Sequence, residues 1–416
     1  MNYFLKSTGR WVLWGVLSLV MHMSADASAP PPAVSPPVTV NTVALNLDYV
    51  SGCRIVHYSF EGLIHKTLVI DFNRPMTVLS TLDGWRPGIQ TAGNHYAPLE
   101  FWAVGHGDDL KQLQTWIPTT LGKQPDSASF LFTGADMDHL SVQTRHYRDM
   151  TIFALITAGV RDNAQRSGRD AGNYYEAGTI NILLLTNRLL SPGAMARALI
   201  TATEAKTAAL QDLDVRSSYT PMINQATGTG TDNIIVVQGN GPLVDSSGGH
   251  TKMGELIARA VHAGVKEAIH RQNGIGIERN LLQRLEERKI DLAAMIESLA
   301  RLHGRQAGEL LSAFYLLMAD CRYADFLIAS FAISDAVESR QITDLSLYQG
   351  WCRTIAGTIS GKHIGDMPTF ACTKDIPPVI RMAIDALLCG ICPESAFKLP
   401  TSDEGIAVNM EQRFWK

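Results

Sequence analysis

The sequence predicts an α+β protein with a layered sheet core and packed helices, followed by a separate, mostly helical C-terminal domain. Three observations lead there. Short strand-like runs crowd the chain from Cys53 onward; strands then alternate with helical patterns up to about Arg271; and after Gly274 apolar residues recur at helical spacing. The 416-residue chain is long for one domain, and its 46% hydrophobic and 18% charged residues describe a globular protein able to bury substantial cores. A net charge of −4 without Lys/Arg clusters leaves no electrostatic footprint for nucleic acid or anionic lipid, so a small-molecule partner is the expectation.

Residues 1–27 have the layout of a signal peptide. Lys6 and Arg10 precede an apolar stretch over 11–21, and small residues follow, including Ala25-Asp26-Ala27. That stretch is shorter than the ~20 residues a membrane span needs, which favours a cleaved export signal over a stable membrane anchor. The mature chain would start near Ser28 and be exported to the periplasm. Residues 28–45, with PPPAVSPPV at 30–38, read as an extended linker. The expected domains are 46–273 and 274–416.

Within 46–273, CRIVHYSF and KTLVIDF read as a hairpin, and a further short run ends in VLST at 78–81. Strand candidates follow at SFLFTG near Phe130, at 151–159, at 178–187 and at 232–239. A helix opens at Ser191 as N-cap with Pro192 at its first position, where the missing N–H has no helical partner to lose. A second spans about 252–271, with Leu256, Ala260, Val261 and Val265 on one face. Beyond Gly274, residues 278–304, 307–331 and 378–390 are helical candidates. That part holds five of the six cysteines, which read as disulfides or buried thiols; Cys389-x-x-Cys392 as a metal site is the alternative.

The common signatures of serine hydrolases, zinc proteases and nucleotide-binding loops are absent from the sequence. Polar clusters at strand ends remain: STLDGW at 80–85, GNH at 93–95, TAGVRDN at 157–163, GTIN at 178–181, TEAK at 203–206, TGTGTD at 227–232 and GHTK at 249–252. Ligands of layered α/β structures collect where loops leave the strands, so several of these clusters are expected to converge on one sheet edge.

The succession TAGVRDNAQRSG, GTINILLLTNRLLSPGAMARALITATEAKTAAL, QATGTGTDNIIVVQG and GGHTKMGELIARAVHAGVKEAI resembles the adenosylcobinamide amidohydrolase family over about residues 53–270, with STLDGW and GNHY in keeping. The resemblance implies hydrolysis of the amide between the aminopropanol arm and the corrin ring, giving adenosylcobyric acid and 1-amino-2-propanol in corrinoid salvage. It implies a corrinoid as substrate rather than cofactor, and no cofactor requirement. The export signal and helical tail lie outside the family core. An exported corrinoid carrier without catalysis, serving an uptake system, and a generic exported amidase are the alternatives.

A broad, amide-fringed ligand calls for small donors and acceptors on backbone that can approach closely. The substrate-binding candidates are Ser80, Asp83, Asn94, His95, Asn163, Thr179, Asn181, Thr227, Thr229 and Asp232, with Trp85, Tyr96, Tyr174 and Tyr175 available to pack on a corrin face. The catalytic candidates are Glu204, His250 and Lys252. Three routes to amide hydrolysis stay open: Glu204 or His250 as general base for water; Ser80, Thr179 or Thr227 as nucleophile assisted by His250 or Lys252; or a divalent metal held by His95, Asp232, Glu204 and His250.

Overall fold

The computed structural model describes residues 39–60, 62–103, 110–171, 178–302, 304–367 and 376–392. The expected signal peptide, most of the Pro-rich linker, Tyr174, Tyr175 and Cys372 lie outside the described residues. Among the described residues no helix is long and apolar enough to cross a membrane.

The end of the expected linker forms a strand, β1 (Thr39–Thr42), which pairs antiparallel with β2 (Val50–Phe60). β2 and β3 (Leu63–Ser80) make the expected hairpin, but the VLST run is no separate strand. β3 continues through it for 18 residues. Its pairing with β4 (Gly84–Tyr96) slips between Asp71 and Met76, where Pro75 has no N–H to offer a ladder. α1 (Leu99–Ala103) and α2 (Leu110–Thr120), neither foreseen from the sequence, precede β5 (Ala128–Thr133), which joins β4 in parallel.

The chain then forms β6 (Ser141–Tyr147), β7 (Met150–Ala158), β8 (Ala164–Gln165), β9 (Ile180–Thr186), β10 (Leu189–Leu190) and α3 (Pro192–Asp212). β11 (Gly228–Thr229), β12 (Asn233–Val237), β13 (Leu243–Val244) and α4 (Lys252–Asn273) follow. Among the described residues the largest sheet has nine strands, ordered β1-β2-β3-β12-β9-β7-β6, with β4 and β5 branching from β3. β4 pairs along most of β3, so β2 and β12 share its other edge, β2 against Leu63 to Phe72 and β12 against Val78 to Ser80.

That shared long strand curls the sheet into two facing layers. Leu68, Ile70, Ala92 and Leu131 from one layer pack against Phe153, Leu155, Leu183, Leu185, Ile235 and Val237 from the other. The alternate residues of the second layer, Ile152, Ala154, Ile156, Ile180, Ile182, Leu184, Ile234 and Val236, pack on α3 and α4. Both faces of β7, β9 and β12 are therefore covered, which is why their sequences read as nearly unbroken apolar runs. The outer face of the first layer lies under α1 and α2 through Val69, Phe130, Phe132, Phe101 and Ile117. Four layers result, helices outside and two curled strand layers within.

α3 begins as the sequence predicts, Ser191 accepting a hydrogen bond from the N–H of Ala194 with Pro192 next. α4 begins at Thr251, whose hydroxyl accepts from Gly254 N–H, and ends at Gly274 in the left-handed region, φ 70°.

The C-terminal part is helical, with a core of its own around Leu285, Ile296, Phe314, Phe326, Leu327, Ile380 and Ile384. Two predicted helices are each broken in two. The 278–304 pattern is split into α5 (Leu281–Glu287) and α6 (Leu292–Leu302) by Lys289 at φ 58° and by Asp291, which accepts from Ala294 N–H. The 307–331 pattern becomes α7 (Ala307–Met318) and α8 (Cys321–Glu338), because Asp320 caps the second. α9 (Ser346–Ser360) is unforeseen, and α10 (Pro378–Ile391) falls where expected. Among the described residues all five cysteines are free. Burial pushes the Cys53 thiol up to about 12 and that of Cys352 to about 11, so both are inert thiols of the interior.

Candidate active site

β12 is five residues long, a rise of roughly 17 Å. Its two polar loops therefore stand at opposite ends of the strand, and their surroundings differ.

At the start of β12 the loop 227–232 is interlocked with three other segments. The Asp232 carboxylate accepts from the N–H of Ile180 at 3.0 Å, the N–H of Thr229 at 3.0 Å and the hydroxyl of Thr229 at 2.5 Å, and it forms an ion pair with Lys206 of α3. Both side chains of the pair are nearly buried, 9% exposed for Lys206 and 14% for Asp232. Thr179 and Thr231 place their hydroxyls 2.6 Å apart, and Thr231 donates to Gly178 O. Asn163 donates to Gly178 O at 3.1 Å and accepts from the Tyr219 hydroxyl at 2.8 Å. Thr227 accepts from Ser167 N–H, and β11 pairs with β8.

The glycines of the loop answer to these contacts. A Cβ on Gly228 would lie 2.5 Å from Asp232 Oδ2 and 2.6 Å from Lys206 Nζ. One on Gly230 would lie 2.9 Å from Asn163 Oδ1. A side chain at either position would displace the groups that make the cluster.

Directly behind it, between the two strand layers, lie three fully buried polar side chains. Asn181 donates to Asn94 Oδ1 at 2.8 Å and to Phe132 O at 2.9 Å, and Asn94 donates to the Thr157 hydroxyl at 2.9 Å. Asn181 Oδ1 is buried without a hydrogen-bond partner. Ser80 and Asp83 form the β3–β4 turn at the same end of β12. Ser80 Oγ accepts from the N–H groups of Leu82 and Asp83, Asp83 accepts from Gln114 and from Ser129 at 2.9 Å, and neighbouring Thr81 donates to Asn233. Trp85 is exposed beside this turn, whereas Tyr96 is half-buried with the Lys66 ammonium 5.6 Å from its ring centre.

The other candidates lie elsewhere. His250 is exposed after the far end of β12. Lys252 pairs with Glu255 and sits 4.6 Å from the Tyr147 ring centre, at the β6–β7 turn. Both stand at the start of α4, and it is the opposite end of this 22-residue helix, at Asn273, that accepts from Val160 N–H close to Asn163. A helix of that length spans roughly 33 Å. Glu204 is exposed on α3, because the buried stripe of that helix passes through Ala198, Ala202, Ala205, Lys206 and Ala209 and leaves position 204 outside. His95 points to the opposite face of β4 from Asn94, beneath α1 and α2. It is fully buried there, 2.8 Å from the Thr67 hydroxyl and 3.3 Å from His65. Burial, with His65 beside it, holds its imidazole well below the usual 6.5, hence neutral.

Several of the clusters thus converge as expected, but the catalytic candidates do not join them. Asn163, Thr179, Thr227, Thr229 and Asp232 are gathered, with Asn94 and Asn181 behind and Ser80 and Asp83 at the neighbouring turn. His250 and Lys252 are kept from them by the opposite end of β12, His95 by the opposite sheet face, and Glu204 by the helical phase that turns it outward on α3 while Lys206 points in. Among the described residues no group of three or more His, Cys, Asp or Glu side chains is arranged to hold a metal ion. Sequence reasoning missed Lys206 and Tyr219. Lys206 had a signal in its place on the alanine stripe; Tyr219 had none, as it enters from a loop 56 residues from its partner.

Hydroxyls, primary amides, a carboxylate and an ammonium group are thus held together at the loop end of a layered sheet. A profile of the adenosylcobinamide amidohydrolase family matches residues 47–277, more than half of the chain and all of these groups. The chain belongs to that family, and hydrolase chemistry is what the family points to. An uncharacterized protein of Methanocaldococcus jannaschii is 41% identical over 254 residues, covering 56% of this chain and 98% of the relative. A protein of Methanosarcina mazei named adenosylcobinamide amidohydrolase is 34% identical over 149 residues, covering 33% of this chain and 64% of that relative.

Proposed function

We propose that this chain hydrolyses the amide linking the aminopropanol arm of adenosylcobinamide to the corrin ring, releasing adenosylcobyric acid and 1-amino-2-propanol in corrinoid salvage. The observation that carries the reading is that the segment matching the family, 47–277, contains the whole interlocked cluster around Asp232. Amide hydrolysis needs an activated oxygen nucleophile, donors for the oxyanion and a proton for the leaving amine.

The cluster supports the following roles. The Thr229 hydroxyl already donates to Asp232, whose carboxylate is oriented by Lys206 and two backbone N–H groups, so Asp232 takes the proton as oxygen attacks the amide carbon. The attacking oxygen is that of a water on the same carboxylate, or that of Thr229, in which case the amine departs to leave an ester on Thr229 that a water, deprotonated by Asp232, then cleaves to the acid and the free hydroxyl. Asn163 and the backbone N–H groups of the loop receive the oxyanion, and the proton held by Asp232 passes to the departing amine. The corrinoid is substrate here, and the reaction runs on the polypeptide's own groups. Export to the periplasm and service to a corrinoid uptake system complete the proposal.

The test is incubation of the purified protein with adenosylcobinamide and chromatographic detection of adenosylcobyric acid and free 1-amino-2-propanol. Both products in equal amount support the reading; binding without turnover overturns it in favour of a carrier. Cell fractionation with sequencing of the mature N-terminus checks the export proposal, for which a start near Ser28 is expected.

A further inference from the structure

The helical part lies beyond the residues matching the family, yet it grips one loop of the family core. Arg216 makes two parallel hydrogen bonds to Asp335 of α8, both 2.9 Å, while its Nε donates to Pro221 O within its own loop. The Arg216 side chain is only 2% exposed. Asp214, at φ 49°, receives Arg288 at 2.8 Å and Arg284 at 3.4 Å from the α5 region, and its backbone carbonyl receives Arg279. Burial alone would raise the Asp214 carboxyl, but Arg288 and Arg216 outweigh it and hold the group below its usual value, so it stays ionised. Met222 packs on the core of the helical part.

The same loop enters the site. Residues 215–226 fold back as a small hairpin closed by Ala226 N–H to Val215 O and Ser217 N–H to Asn224 O. At its tip Ser217 and Thr220 donate to Asp170, Ser218 N–H donates to Ala164 O, and Tyr219 donates to Asn163. The chain leaving the hairpin is the TGTGTD loop itself. Its base, and Met222 in its turn, are therefore held by the helical part outside the family core, while Tyr219 and the exit strand build the cluster around Asn163 and Asp232.

We infer that the C-terminal helical part is a positioning element of the active site, acting through the Arg216–Asp335 pair on the 215–232 segment, with Tyr219 and Asn163 as the groups it sets. The inference rests on the proposed location of hydrolysis. A bidentate Arg–carboxylate pair, buried on its Arg216 side and partly exposed at Asp335, fixes orientation as well as proximity, and small displacements of positioning groups cost rate.

Asp335→Asn in the full chain tests it. Amides of 217–231 are expected to exchange with deuterium about tenfold faster, since losing the clamp opens that segment locally. kcat is expected to fall by about 10- to 100-fold with KM little changed. Asp335→Glu should restore part of the rate, and Asp335→Asn added to Tyr219→Phe should cost less than it does alone, because both act through one contact. Ile380→Val, in the helical core, should lower Tm while leaving kcat and the exchange of 217–231 unchanged. Wild-type exchange of 217–231 in Asp335→Asn, or an equal loss of kcat in Ile380→Val, overturns the inference. If the wild-type chain does not hydrolyse adenosylcobinamide, the functional reading falls and the exchange data still decide whether the helices hold the loop.

Discussion

Both ends of β12 run into loops dominated by small polar residues, and the two loops have opposite fates. Residues 227–232 consist of Thr, Gly and Asp alone, and residues 238–250 are mostly Gly, Ser, Asn and Asp, running on to His250. At the start of the strand, the C-terminal half of α3, the 215–226 hairpin and the beginning of β9 close over the loop, so its carboxylate finds four donors. At the far end the loop is tied to the first half of α3, Thr201 donating to Ser247 O and the Ser247 hydroxyl to Ala194 O, and His250 is left exposed. Polar composition marks where backbone must turn and approach closely; which turn becomes a site depends on what packs over it.

The sharpest way to break this comparison is Asp232→Asn. It removes the proposed base and leaves Lys206 buried without its counter-charge, so hydrolysis should fall by about 10²–10⁴-fold and stability by about 3–5 kcal/mol. Steady-state kinetics and urea titration read the two. Activity close to wild type would move the reaction away from this end of the strand.

Gly228→Ala comes next. Its Cβ would collide with both members of the ion pair, at 2.5 and 2.6 Å, and overpacking of this kind costs about 1–3 kcal/mol. Thermal denaturation should show that loss together with reduced kcat.

A third prediction sets buried His95 against the bulk of the titratable surface. Its folded pKa lies below the ordinary 6.5, so the unfolded chain binds a proton that the folded chain refuses. The stability this contributes is present above pH 6.5 and is lost as pH falls below it, by up to about 1.4 kcal/mol per pH unit. Urea titrations between pH 7 and 5 should show that slope, and His95→Phe should flatten it. The smallest effects belong to the exposed candidates: Glu204→Ala and His250→Ala should each change stability by less than about 0.5 kcal/mol and leave kcat within about twofold of wild type. A large loss from either would return catalysis to the face of α3 or the far end of β12.

Much of the fold was legible because its signals are local. The apolar runs of β7, β9 and β12, the Ser191-Pro192 start of α3 and the Gly274 stop of α4 each rest on chemistry within a few neighbours. The breaks at Lys289 and Asp320 were missed because apolar spacing continues across them, while one residue in the left-handed region or one capping carboxylate ends the helix. α1 and α2 cover the His65–His95 layer without a clear pattern of their own. In the site, the TGTGTD and GTIN segments stood out as polar punctuation. TEAK misled as to which residue matters, because the helical phase turns Lys206 inward and Glu204 out.

The sequence by itself determined that strands come before helices, where the polar turns fall and, through its motifs, which family the chain resembles, since each depends on residues near one another in the chain. Only the tertiary structure decided which turns meet. The curl of β3 puts Asn94 against Asn181, the direction of β12 separates Asp232 from His250, and the hairpin at 215–226 carries Tyr219 to Asn163. These are contacts between residues tens of positions apart, set by sheet order and strand direction, and no local pattern encodes them.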